Sequence, residues 1–168
     1  MSTNYKLDTD QRVHFYEQEF YVLSNFSSFQ VKFGYHTFMT SEHAYHYAKF
    51  AAASKLLPDT IKAARVADEI LFARSAHDAF IIAQTNKAYR RYDWDDVKVD
   101  IMREILRAKV SQHEYVRRKL LQTGDRELVE DSWRDDYWGW GPNHDGKNML
   151  GRLWMEIREE LREHNLLV

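Results

Sequence analysis

Cysteine is absent from the 168 residues, which removes disulfides, thiolate nucleophiles and sulfur-based zinc sites together. That absence suits a reducing compartment. Proline occurs twice and glycine six times, and no Gly/Ser run divides the chain, so it carries no linker, internal repeat or low-complexity tract. One domain over residues 1–168 is expected, with residues 1–11 as a flexible N-terminal segment. Long apolar runs are missing too: no stretch approaches the roughly 20 apolar residues that span a bilayer, and Met1–Gln11 is polar where a signal peptide would be apolar. The expectation is a soluble, cytoplasmic or nuclear protein with no membrane partner. Nor does one charge dominate. Twenty-four Lys and Arg face 26 Asp and Glu, a formal net charge of -2, which argues against coating nucleic acid non-specifically and leaves room for a local basic patch.

Hydrophobic residues make up 44% and aromatics 14%, enough for one core of ordinary size. From Arg12 to Phe38 apolar residues alternate (Val13, Phe15; Phe20, Val22; Phe29, Val31, Phe33), and Gly34-Tyr35-His36 supplies a turn before Thr37-Phe38, so a small β region with one hairpin is expected. Thr40 or Ser41 caps a helix to about Ala53. A second helix opens at Pro58-Asp59-Thr60 with Ile61, Ala64, Ala67 and Leu71 at helical spacing, and Ser75 with Asp78 resembles a capping pair for a third. Asp93 precedes a long helix from Trp94 to Val110 with a stripe of Val97, Ile101, Ile105 and Ala108. Ser111 with Glu114 reads as a capping box for the next helix, which Gly124 stops; Leu128-Val129 reads as a short strand. A final amphipathic helix runs from Asn148 to about Glu163 with Leu150, Leu153, Trp154, Ile157 and Leu161 on one face. The fold class is α+β, mainly α-helical.

The segment Ser41-Glu42-His43-Ala44-Tyr45-His46-Tyr47-Ala48-Lys49 carries the sharpest chemistry. Glu42 and Lys49 are seven residues apart, two helical turns, and so nearly share a face with His46 between them. A proton-transfer carboxylate beside an amine nucleophile is a recognised means of breaking a glycosidic carbon–nitrogen bond. The plainer reading makes Glu42 a helix-dipole partner and Lys49 a surface lysine. Glu42, His43 and His46 fit neither His-Glu-x-x-His nor Glu-x-x-His, and no further ligands are in view, so no metal is expected. No cofactor is expected either.

A second dense stretch runs from Asp136 through Trp138-Gly139-Trp140-Gly141-Pro142 to Asn148 and Gly151. Pro142 and the missing third glycine defeat a dinucleotide fingerprint. What remains is a loop whose glycines allow close backbone approach, whose tryptophans stack on a base or fill a core, and whose following helix offers amides to an anion. Trp94, after Arg90-Arg91, is either a core anchor at a helix start or a stacking wall beside phosphate-binding arginines. Serine-hydrolase and phosphate-loop motifs are absent.

Leu23-Ser24-Asn25-Phe26, Thr40-Ser41-Glu42-His43 with Lys49, Asp93-Trp94 with Val97-Lys98 and Met102, and Trp138-Gly139 through Asn148-Met149-Leu150-Gly151 follow in one order. In these the chain resembles the NADAR, or YbiA-like, family over about Phe15 to Leu161. The resemblance implies a small sheet among helices and a pocket for ribose-containing ligands. It implies two activities: removing ADP-ribose from guanine in nucleic acid, against a DNA ADP-ribosyltransferase, or cleaving the N-glycosidic bond of early riboflavin-pathway intermediates. It assigns catalysis to Glu42 and Lys49, and substrate binding to Asn25, Phe26, His43, His46, Trp94, Asp136, Trp138, Gly139 and Asn148. The chain departs from the family pattern at His46 (often glutamine), Phe38 (tryptophan) and Ala83 (glycine), which bears on ligand selectivity.

The leading expectation is hydrolysis of an ADP-ribosyl-guanine linkage in single-stranded DNA, with Lys49 forming a Schiff base and Glu42 moving protons. Direct attack by water, with Glu42 as base, is the rival mechanism. A ribosylated small molecule is the alternative substrate. A non-catalytic reader of ADP-ribose or NAD, and a structural or partner-binding domain, are the other classes the same residues serve.

Overall fold

The computed structural model describes residues 8–166, with side chains through Glu163. The fold is α+β and mainly helical. It divides into two compact units, Asn25–His113 and Met1–Ser24 with Glu114–Val168.

In the unit Asn25–His113, strands β1 (Val31–Phe33) and β2 (His36–Phe38) form the expected antiparallel hairpin, with Val31 paired to Phe38. Gly34 at the turn has φ +58°, a conformation that costs glycine little. Helix α1 (Ser41–Ala48) is capped by Thr40, whose side chain accepts from the His43 amide. It stops five residues short of the expected Ala53. Phe50 bonds back to Tyr47, and the Lys49 carbonyl accepts from the Arg91 amide at 2.8 Å, which withdraws the acceptor that a further turn would use.

Helix α2 (Thr60–Leu71) is capped by Asp59 and α3 (Ala76–Thr85) by Ser75. The buried face of α2 is Ala63, Val66, Ala67 and Ile70, whereas Ile61 is 71% exposed. Of the expected stripe, Ala67 is on this face and Leu71 is half-buried, while Ile61 and Ala64 are exposed. The alanines fit either face by size, and Val66 with Ile70 settles the orientation by filling the cluster with Phe50, Ala79 and Ala83.

Helix α4 (Trp94–Gln112) runs past the expected end and buries Trp94, Met102, Ile105, Leu106, Lys109 and Val110. Of the expected stripe, Ile105 is on this face; Val97, Ile101 and Ala108 are only half-buried. The stripe went astray because the buried face includes a charged residue, Lys109. Ser111 does not cap the next helix either: it lies inside α4 and its hydroxyl donates to the Ala108 carbonyl.

In the other unit, strand β3 (Arg12–Phe15) pairs in parallel with strand β4 (Glu127–Glu130), Arg12 opposite Glu127 and Phe15 opposite Glu130. Phe20 and Val22 lie in a 3-10 segment, Gln18–Leu23, and not in a strand. Ser24 closes it by donating to the Tyr21 carbonyl, so the backbone is satisfied locally without a strand partner. Helix α5 (Glu114–Gln122) ends where Gly124 adopts φ +60°. Helix α6 (Met149–Leu166) buries Leu150, Leu153, Trp154 and Ile157 as expected, and the Trp154 indole donates to the Leu23 carbonyl at 2.8 Å. Gly151 meets the Leu128 carbonyl so closely that a Cβ has no room. Of the expected flexible segment, residues 1–7 lie outside the described residues; Thr9 bonds the Arg12 backbone and Asp8 accepts from the His14 amide.

Candidate functional site

Within Asn25–His113, the first turn of α1 carries Glu42 and its C-terminal cap is Lys49. The Glu42 amide donates to the Asn25 carbonyl at 3.1 Å, so the loop ahead of the hairpin fixes the start of α1. The Asn25 side chain is buried, with its amide nitrogen on the Met102 sulfur at 3.4 Å and its oxygen Oδ1 without a hydrogen-bond partner. Phe26 beside it is 46% exposed.

Glu42 is 8% exposed and its Oε1 lies 2.6 Å from His46 Nε2, one turn along. Burial pushes the His46 pKa down, against the pull of Glu42. Lys49 sits over two aromatic faces, with Nζ 4.8 Å from the Tyr45 ring centre and 5.5 Å from that of Trp94. Among the described residues no carboxylate comes within ion-pair distance of it. Burial lowers its pKa from 10.5 to about 8; Glu42 opposes the shift, while Arg90, Lys87 and Lys98 add to it. The aromatic faces favour the ammonium, so the amine is poised between its two forms.

Trp94 is buried, edge-on to Tyr45 at 5.0 Å, and serves as a wall behind the lysine. His43 is buried with Nδ1 2.8 Å from the Thr40 hydroxyl and Nε2 3.1 Å from the Ala73 carbonyl. Both ring nitrogens are therefore engaged within the protein, and the side chain ties α1 to the end of α2. Asn25, Glu42, His46, Lys49 and Trp94 are thus brought into one neighbourhood. Glu42 and His46 are the pair closest in kind to metal ligands, but the described residues contain no group of three such side chains.

Asp136, Trp138, Gly139 and Asn148 belong to the other unit, where residues 131–148 form a self-bonded loop. Asn148, at φ +50°, accepts from the Glu130 amide and donates to the Leu128 carbonyl through its side chain. Both bonds tie it to β4. The amides of Met149 and Leu150 donate to the carbonyls of Tyr137 and Trp138, so the expected anion site at the start of α6 is occupied by the loop itself. Gly139 and Gly146 pack against backbone, where an added Cβ would lie 2.9 Å from the Glu130 oxygen and 2.7 Å from that of Asp136. Their smallness serves loop closure. Trp138 is half-buried and Asp136 exposed; the Trp140 indole donates to Asp131 and its ring stacks on His144 at 3.9 Å.

Tyr45, under the Lys49 ammonium, is a neighbour that no sequence motif singles out. Its position one turn before Lys49 was the available signal. Lys87 and Lys98, which act electrostatically on Lys49, were likewise unmarked as neighbours, because no local spacing joins them to α1.

Comparison with known proteins gives a consistent set of relatives. An N-glycosidase of Nostoc punctiforme is 36% identical over 157 residues, 92% of this chain and 94% of the relative. The N-glycosidase YbiA of Escherichia coli is 36% identical over 154 residues, 90% of this chain and 89% of YbiA. A riboflavin biosynthesis protein of Vibrio vulnificus is 36% identical over 92% of this chain, which spans 40% of that longer protein. The NMR structure of E. coli YbiA superposes with a TM-score of 0.79 at 33% identity, covering 95% of this chain and 90% of YbiA. The NADAR domain profile matches residues 14–162. The chain belongs to the NADAR domain family.

Proposed function

We propose that the protein is an N-glycosidase, a hydrolase of N-glycosyl bonds, which releases ADP-ribose from guanine in single-stranded DNA and so reverses the work of a DNA ADP-ribosyltransferase. The observation that carries the chemistry is the Lys49 amine. With a pKa of about 8, about a tenth of it is unprotonated at pH 7, against about one part in three thousand for an ordinary lysine. That amine attacks the anomeric carbon, forming a C–N bond while the bond to the base breaks. Glu42 carries a proton from the lysine nitrogen to the departing base. Ring opening gives the imine, and water then hydrolyses it to return the free amine and the sugar. Glu42 is on the same helix, close enough to act on the charge of Lys49. The cationic groups of Lys87, Arg90 and Lys98 around Lys49 suit a substrate bearing phosphates.

A second substrate reading is a small ribosylamino intermediate of riboflavin synthesis. The names of the Vibrio relative and of a chloroplastic riboflavin biosynthesis protein of Zea mays, 33% identical over 84% of this chain, favour it. Incubation with guanine-ADP-ribosylated single-stranded DNA, and separately with a ribosylaminouracil phosphate, separates the two by mass spectrometry. Unmodified DNA among the products is the expected result. Cleavage of the small molecule alone shifts the protein to metabolite disposal, and cleavage of neither contradicts the hydrolase reading.

A further inference from the structure

We propose that His46 is the positioning residue for Glu42: its ring N–H fixes one carboxylate oxygen and leaves the other free to move protons. The inference rests on the reading of Glu42 as the proton-transfer group. His46 Nε2 and Glu42 Oε1 are 2.6 Å apart across one turn of α1, a short contact of the kind made to a charged acceptor. The imidazole is 2% exposed and is held edge-on between the rings of Tyr45 at 5.3 Å and Phe80 of α3 at 5.7 Å.

The other ring nitrogen fixes which tautomer is present. Nδ1 is buried and has no hydrogen-bond partner. A proton there would be an orphaned buried donor, whereas a bare lone pair is tolerated more readily. The proton therefore sits on Nε2, facing Glu42. Imidazolium is disfavoured by the same orphaned Nδ1–H, by burial and by Lys49 and His43 on the same helix, with only Glu42 opposing. Phe80, the α3 residue in ring contact with it, adds no charge. His46 is accordingly a neutral donor that holds Glu42 as an oriented carboxylate, with His46 itself taking no proton during turnover.

Two substitutions separate this role from packing. His46→Gln places an amide N–H near the position of Nε2 but lacks the ring; His46→Phe keeps the ring and lacks the donor. The glutamine variant is expected to keep kcat within about 5-fold, and the phenylalanine variant to lose about 10- to 100-fold in kcat with KM little changed, the range for one hydrogen bond to a charged group. Activity kept by phenylalanine and lost by glutamine makes His46 a packing residue and overturns the proposal, as does equal behaviour of the two. Ring 15N shifts test it without turnover: a neutral Nε2–H tautomer at neutral pH is expected, and an imidazolium or an Nδ1–H tautomer there overturns it. Glu42→Gln distinguishes the failures. If it turns over normally, the assignment of Glu42 falls and the His46 role with it; if it is inactive while phenylalanine outperforms glutamine, only the His46 role falls.

Discussion

A lysine side chain in water holds its proton so firmly at neutral pH that it is rarely a nucleophile, and Lys49 departs from that through its surroundings. Burial is the largest influence and lowers its pKa to about 8. If the neutral amine attacks, kcat rises with pH and reaches half its plateau near pH 8, then flattens; a rate already flat below about pH 7 contradicts an amine nucleophile. Lys49→Ala in that case depresses kcat far more than it raises KM, and borohydride with substrate traps the wild-type protein as a covalent adduct. Lys109 is a second buried lysine with a different consequence. It is fully buried, bonded to the Ser27 hydroxyl at 2.8 Å, and burial lowers its pKa to about 7. Between pH 7 and 10.5 the unfolded chain holds a proton there that the folded protein lacks, so stability from this residue rises with pH over that window and is level below it. Lys109→Met is expected to stabilise the protein, most below pH 7 and progressively less toward pH 10.5. Melting temperatures across that range check it; a wild-type pH slope retained by the variant contradicts it.

Among the elements, α1 shows how a cap can serve both a helix and a site. Thr40 accepts from the His43 amide and bonds the His43 ring, whereas Ser75 caps α3 through the Asp78 amide alone. Ser75→Ala should cost about 1 kcal/mol, and Thr40→Ala about 1–3 kcal/mol more because a buried ring nitrogen loses its partner. Urea unfolding measures both, and equal losses contradict the double role. The cap Ser75 was legible outright, Thr40 as one of two adjacent candidates and Asp59 within Pro58-Asp59-Thr60, because capping is local, a side chain reaching an amide three residues on. The phase of α2 was not, since alanine marks neither face and the deciding residues, Val66 and Ile70, are set by what α1 and α3 present. Ser111 failed as a cap because its hydroxyl found the Ala108 carbonyl inside α4 instead.

Across the whole chain, the main contribution of tertiary structure that the sequence hid is the parallel pairing of residues 12–15 with 127–130. A hairpin announces itself by its turn, as Gly34 does, but a parallel pair has no local turn to read. The spacing of Glu42 and Lys49 was visible because one helix and its C-cap carry both. The self-bonding of residues 131–148 was not, because it consists mostly of backbone hydrogen bonds that leave the same glycines and aromatics a ligand loop would have. Family membership joins these pieces: the match over residues 14–162 takes in both units, so the chemistry at α1 belongs to a chain that is similar to N-glycosidases nearly end to end. The central claim is that Glu42 moves the proton that breaks an N-glycosyl bond. The most direct test compares wild type with Glu42→Gln on a substrate the wild type cleaves, measuring turnover and binding together. A fall in kcat of at least about 100-fold with affinity within a few-fold is the expected result, and turnover near the wild-type rate would contradict it.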